Sequence, residues 1–151
     1  MKFKKGVRKL AILSAISMIL GGNVVSSFAD EISAYAGNTT DSSYQFEFGL
    51  LNGSEYTPGR AKKDTSKTYM KCNVITSGYN YTAKVYASLG GGNYVDASKG
   101  TKYTFSKGSH EYMTNNVRGL GYTAAAVKAN SGINSKVVTA AGVWSPDSTV
   151  K

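Results

Sequence analysis

This sequence predicts an all-β fold, an antiparallel two-sheet sandwich of seven or eight short strands, and three observations carry that expectation. Beyond residue 29 the chain holds all 11 Tyr, thirteen Thr and nine Val but four Leu, a composition suited to a pleated, half-buried surface. Apolar and polar residues alternate with a period of two in several separate runs. Glycine-containing turn signals recur about every eight residues in the second half, the spacing of a meander or Greek key.

The first run places Tyr44, Phe46, Phe48 and Leu50 on one face, with Gln45 and Glu47 on the other. The second places Met70, Cys72 and Val74 inward and Lys71 and Asn73 outward. Tyr81, Ala83, Val85 and Ala87 make the third. The triplet Gly90, Gly91, Gly92 reads as a hairpin loop into a strand over 93–97. Two turn signals, Ser98-Lys99-Gly100 and Ser106-Lys107-Gly108, bracket a strand over 102–105. Residues 122–129 (YTAAAVKA) contain alanines that favour helix intrinsically. Their flanking glycines and length of eight favour a buried strand, with small residues where two sheets approach closely. The last strand is 136–144 (KVVTAAGVW), in which Val138, Ala140, Gly142 and Trp144 share one face; Ser145-Pro146-Asp147-Ser148 then ends the regular structure. Packing two sheets face to face buries the alternate faces of such strands. Trp144 is expected to be a structural anchor filling the end of that core, and Cys72 a buried structural residue.

The N-terminus has a different character. Lys2, Lys4, Lys5, Arg8 and Lys9 precede an uncharged, mostly apolar run over 10–20, then Gly21-Gly22 and a polar stretch ending Ser27-Phe28-Ala29. A bilayer span needs about 20 apolar residues, and this run is shorter. Basic start, short apolar run and small residues at −3 and −1 are the pattern of a secretory signal peptide. Residues 1–29 are therefore read as a signal peptide cleaved after Ala29, with Ala34-Tyr35-Ala36 as the alternative site. Residues 30–43, polar and rich in Gly, Thr and Ser, read as a flexible start of the mature chain, and 44–151 as the sandwich domain. The expected location is secreted, with cell-wall association as its finer form and no membrane span in the mature chain.

Removing the leader changes the charge balance. The whole chain has 18 Lys+Arg against 9 Asp+Glu; the mature part keeps thirteen against nine, a net of +4. That mild excess argues for an anionic surface rather than nucleic acid. With Cys72 the only cysteine, no intramolecular disulfide can form, so the domain must be held by its core. A cysteine-poor exported chain with a strongly basic leader fits a Gram-positive bacterium. Three matches to the glycosylation sequon, at Asn38, Asn52 and Asn80, are in that setting chance.

Little in the sequence points to catalysis. His110 and Cys72 are the sole histidine and thiol, and a dyad would need them paired and reachable, whereas Cys72 is expected inward and His110 in a polar turn. One His and one Cys also fall short of a zinc ligand set, so no metal or cofactor is expected. The Gly90–92 triplet lacks the Lys-Ser/Thr of a phosphate loop. Nine dispersed acids mark no glycosidase couple, and nothing in the sequence selects Asp96 and Glu111 as one. The expectation is a protein that is not an enzyme. Two features suggest binding instead. The tyrosines, about two-thirds of them assigned to core and cross-strand packing, offer rigid amphipathic area for stacking on sugars. The basic cluster Arg60, Lys62 and Lys63, after Pro58-Gly59, is the candidate contact to an anionic wall polymer, lipid headgroup or surface protein.

The segment from Val138 through Gly142, Trp144, Ser145, Pro146 and Asp147 to Ser148 resembles the ending of an uncharacterised family of small exported Gram-positive β proteins. The upstream order is similar as well: Phe46-Glu47-Phe48, a Lys/Thr-rich link, a central strand, Gly-rich turns, Tyr112, an Ala/Val strand and Asn130. The resemblance implies an exported β domain without assigned catalytic residues. The family is distantly similar to lactococcin 972-type bacteriocins, which implies interference with the walls of neighbouring cells; that group is Trp-rich, whereas this chain has Trp144 alone. The leading expectation is thus an exported, non-enzymatic binding or antagonism domain at a bacterial surface. The alternative is a small secreted enzyme or enzyme inhibitor.

Overall fold

A computed structural model describes residues 37–51 and 53–151. Ten strands and no helix are formed among them: β1 (Ser42–Phe48), β2 (Ser54–Tyr56), β3 (Arg60–Ala61), β4 (Thr68–Ile75), β5 (Tyr81–Gly90), β6 (Asn93–Asp96), β7 (Tyr103–Phe105), β8 (His110–Met113), β9 (Ala124–Asn130) and β10 (Val138–Ser145). The expected all-β class holds, and every pairing is antiparallel. The leader and its cleavage sites lie outside the described residues.

One sheet, called A here, has the order β1-β10-β4-β8; the other, B, has β2-β9-β5-β6, with β3 also on β9 and β7 also on β5. Sheet B is thus four strands wide. Short β2 and β3 follow one another along one edge, and β6 and β7 along the other. The crossovers from β1 to β2, β4 to β5, β7 to β8 and β9 to β10 all switch sheets, which closes a sandwich around a single core.

The alternation read from the sequence sets what faces inward. Tyr44, Phe46 and Phe48 of β1, Met70 and Cys72 of β4, and Val138, Ala140 and Trp144 of β10 are buried from sheet A. Sheet B answers with Tyr81, Ala83, Val85 and Ala87 of β5 and with Ala125, Val127 and Ala129 of β9. The alanine-rich segment is therefore a strand, and its small side chains at Ala125 and Ala129 are buried in the core. Phe48 and Phe105 flank Tyr81 at ring centroid distances of 5.6 and 5.2 Å. Tyr44 donates to the Lys71 carbonyl (3.1 Å), which leaves its oxygen to accept from Tyr81 at 2.6 Å. Burial pushes both phenols far above their ordinary pKa, so this buried pair stays neutral.

Three expectations are corrected. Val74 does not follow Met70 and Cys72 inward: the register of β4 against β10 shifts between Cys72 and Val74, and Val74 is exposed. His110 does not lie in a turn: β8 pairs with β4, setting His110 opposite Lys71 and Tyr112 opposite Tyr69. The stretch ahead of the first strand is not loose over 38–43. β1 begins at Ser42, the Asn38 N–H donates to Asp147 Oδ2 (2.6 Å), and the Asn38 amide donates to the Ala61 carbonyl (2.9 Å).

Candidate binding face

The basic cluster expected at Arg60, Lys62 and Lys63 is not a surface patch. In an extended chain, residues two apart share a side, so Arg60 and Lys62 turn inward together while Ala61 and Lys63 face out. Lys62 is fully buried and spends its three N–H bonds on the carbonyls of Ser66 and Pro146, both at 2.7 Å, and on Asp147 Oδ1 at 2.8 Å. Burial lowers the Lys62 pKa, and the carboxylate of Asp147 opposes that. Asp147 loses hydration too, but hydrogen bonds from Lys62 and from the backbone of Lys63 and Asn38 hold its pKa below the ordinary value. Arg60 donates to the carbonyls of Trp144 (3.1 Å) and Thr40 (2.8 Å) and sits 5.5 Å over the Trp144 ring. Of the three, Lys63 is exposed and Arg60 half-buried. The cluster is an internal clasp that ties β3, the lead into β1 and the C-terminal segment together. Asp147, its centre, was not singled out in the sequence; the signal was a lone acid beside Pro146 close after the final strand.

Trp144 is 1 % exposed and Cys72 is buried, where the sequence placed them. The Cys72 thiol contacts the Val74 carbonyl at 3.4 Å, and burial raises its pKa. His110 lies on the opposite, outer face of sheet A, against Tyr69 and Tyr112, so the fold separates the two side chains. Asp96 and Glu111 fall on different sheets. Among the described residues no three His, Cys, Asp or Glu side chains group as a metal site.

The structure does assemble a basic aromatic surface, on the outer face of sheet B. Cross-strand register puts Ser54, Asn130 and Thr82 in one row and Tyr56, Lys128 and Lys84 in the next, with Tyr86 opposite Asp96 on the neighbouring pair. Tyr56 stacks on Tyr94 at 4.1 Å and meets Tyr86 edge-on at 5.7 Å. The Lys128 ammonium lies 5.5 and 5.8 Å from the Tyr56 and Tyr86 rings, close enough for cation–π attraction. Beside the rings is an open depression of about 230 Å³ lined by Thr82, Lys84, Tyr86, Lys102, Lys128 and Asn130.

The electrostatics of this depression are one-sided. Lys84 pairs with Asp96 at 3.3 Å, while among the described residues Lys102 and Lys128 meet no carboxylate at ion-pair distance. Asp96 also accepts from the Ser98 backbone and hydroxyl. Its partial burial is outweighed by those bonds and by Lys84, and its pKa is lowered. Burial, and then the Asp96 charge, raise the Tyr86 pKa, so its phenol stays neutral. Ammonium, amide and hydroxyl donors around an aromatic wall can bind an anionic, hydroxyl-rich chain, and no nucleophile–base pair stands among them. A smaller recess on sheet A, about 160 Å³ between Tyr69 and Tyr112, carries Asp41 and so disfavours anions.

In comparison with known proteins, the family model DUF2712, a protein family of unknown function, matches residues 32–148. No curated protein matches the chain.

Proposed function

The chain belongs to the DUF2712 family, whose function is unknown, and from that premise we propose that it is an exported, non-enzymatic binding domain acting at a bacterial cell surface or wall. Its ligand is an anionic, hydroxyl-rich wall polymer such as a polyol phosphate, held on the outer face of sheet B. The observation that carries this reading is the convergence of Lys84, Lys102 and Lys128 on one depression walled by Tyr86. Phosphates would meet the ammonium groups, and polyol or sugar hydroxyls would meet Thr82, Asn130 and the ring edges. The distant similarity of the resembled family to lactococcin 972-type bacteriocins would give such binding a role, antagonism of neighbouring cells through their walls, although this chain has Trp144 alone where that group is Trp-rich.

Cosedimentation with purified walls, before and after chemical removal of their anionic polymer, tests the reading. Intact walls should retain the protein and stripped walls should not, and retention should weaken with salt as exposed charges are screened. The triple variant Lys84→Gln, Lys102→Gln, Lys128→Gln should lose on the order of tenfold to a hundredfold in affinity, given about 1 kcal/mol per cation near an anionic surface. Equal retention by both walls, or an unaffected triple variant, would overturn it. Turnover of the polymer would favour the alternative, a secreted enzyme.

A further inference from the structure

The two ends of the sandwich differ in a way that the sheet B surface does not explain. Four connections cross between the sheets at one end: 49–53, 76–80, 106–109 and 131–137. They contain no acidic residue, and their only charges are Lys107 and Lys136. The nearest acids, Glu47, Glu55 and Glu111, each sit one residue inside the flanking strands. Among the described residues, the acids that lie outside strands, Asp41, Asp64 and Asp147, belong to the other end.

The same acid-free end exposes large apolar side chains: Leu51 is 89 % and Ile133 85 % accessible, with Leu50 and Val137 at 48 % each. They are not on independent floppy tips. The Asn134 N–H donates to the Leu50 carbonyl (3.0 Å), the Asn134 amide to the Gly49 carbonyl (3.2 Å), and the Ser131 N–H to the Gly53 carbonyl (3.0 Å). The Tyr79 hydroxyl meets Ser135 at 3.0 Å, and Lys136 covers the Tyr79 ring at 5.6 Å. Two neighbouring connections are thus hydrogen-bonded to each other at residues flanking the protruding aliphatic side chains, and Lys136 belongs to one of them.

We infer that this end docks on a lipid bilayer with anionic headgroups, inserting Leu51 and Ile133 into the interfacial layer. Four aliphatic side chains on convex tips cover far less than the roughly 1,600 Å² of a standard protein interface. A bilayer needs no complementary shape, only apolar side chains to bury and cations for its headgroups. The flexible stems of Lys107 and Lys136 let their ammonium groups stay at headgroup level while the leucine and isoleucine go deeper.

The test uses the full chain with one surface cysteine carrying an environment-sensitive fluorophore, at Leu51→Cys, at Ile133→Cys, or at Thr149→Cys on the opposite end. Buried Cys72 stays unlabelled, which the parent chain verifies. Vesicles of phosphatidylcholine with phosphatidylglycerol should shift the emission at 51 and 133 to the blue and leave that at 149 unchanged. With the label at 133, Leu51→Ser should raise the lipid concentration for half-maximal shift about tenfold, the scale of one buried aliphatic side chain. Lys136→Gln should raise it about fivefold, and only on anionic vesicles. No shift at 51 and 133, or a shift at 133 indifferent to Leu51→Ser, would overturn the inference, the latter because another segment would then be tethering the chain. A shift that grows with protein concentration without vesicles would overturn it in favour of a second copy. The lysines of sheet B are untouched here, so the outcome is independent of the wall-polymer reading.

Discussion

With each N–H of its ammonium committed to Ser66, Pro146 or Asp147, Lys62 has no way to recover a lost partner from solvent. Asp147→Asn should therefore cost about 3–5 kcal/mol, the usual penalty for leaving a buried charge without its counter-ion, read as a lowered urea midpoint. The pH dependence follows from the lowered pKa of Asp147. As pH falls below the ordinary carboxylate range near 3.8, the unfolded chain takes up the proton first. The contribution is full above that value and is lost as pH drops through the folded-state pKa. The parent protein should lose stability progressively as pH falls below about 4, and the Asn variant should lose less of it over the same descent. Trp144 makes a second prediction at this scale. At 1 % exposure beneath the Arg60 guanidinium it should emit in the blue and resist acrylamide quenching. Trp144→Ala should cost about 3–5 kcal/mol, enough to unfold much of a domain with about 5–15 kcal/mol in all. Solvent-like emission with an unchanged melting point would contradict that.

At the scale of elements, β10 is the strand on which most depends, since it lies between β1 and β4. Its register against β4 shifts between Ala141 and Gly142. A Cβ at Gly142 would run into the Lys71 carbonyl and come within 2.8 Å of the Tyr44 hydroxyl. The glycine is required for close approach of two backbones, and the irregularity lets the Tyr44 phenol reach its acceptor on β4. Gly142→Ala should destabilise by about 1–3 kcal/mol through overpacking, measurable by urea titration; a neutral result would show that the strands can part there without loss. The long strands were legible because seven or more residues give the period of two room to declare itself. β2, β3 and β8 have two to four residues each, too few to alternate. They are strands because β9 and β4 offer them a ladder, and the sequence does not carry that information locally.

Taken whole, the molecule should give a far-UV circular dichroism spectrum dominated by β-structure, with helix under about a tenth of the mature domain, well below the base rate. Strong helical minima would contradict the fold. If the leader is processed as its basic start and short apolar run imply, mass spectrometry of the culture medium should find a species beginning at Asp30. Intact precursor confined to membranes would refute export by that route. The separation of surfaces also belongs to this scale: tyrosines and lysines on one sheet face, aliphatic tips at one end, acids outside the strands at the other.

The division between sequence and tertiary structure has a physical basis. Alternation along a strand is local, so the inward positions of Phe46, Cys72, Val85 and Trp144 and the all-β class could be read directly. Pairing is not local. The side chains that meet Lys128 come from β2 and β5, far apart in the chain, and Lys62 reaches its counter-ion 85 residues away. A cluster of charges adjacent in sequence, Arg60 to Lys63, was consequently split by the alternation of an extended chain. Lysines scattered at 84, 102 and 128 were gathered onto one face by the register of a sheet. The sequence by itself determined the long strands and the inward direction of most of their apolar side chains; only the tertiary structure decided which short segments join the sheets, which charges are neutralised inside and which are presented together outside. Sheet registry brings together residues whose separation along the chain carries no signal of their contact.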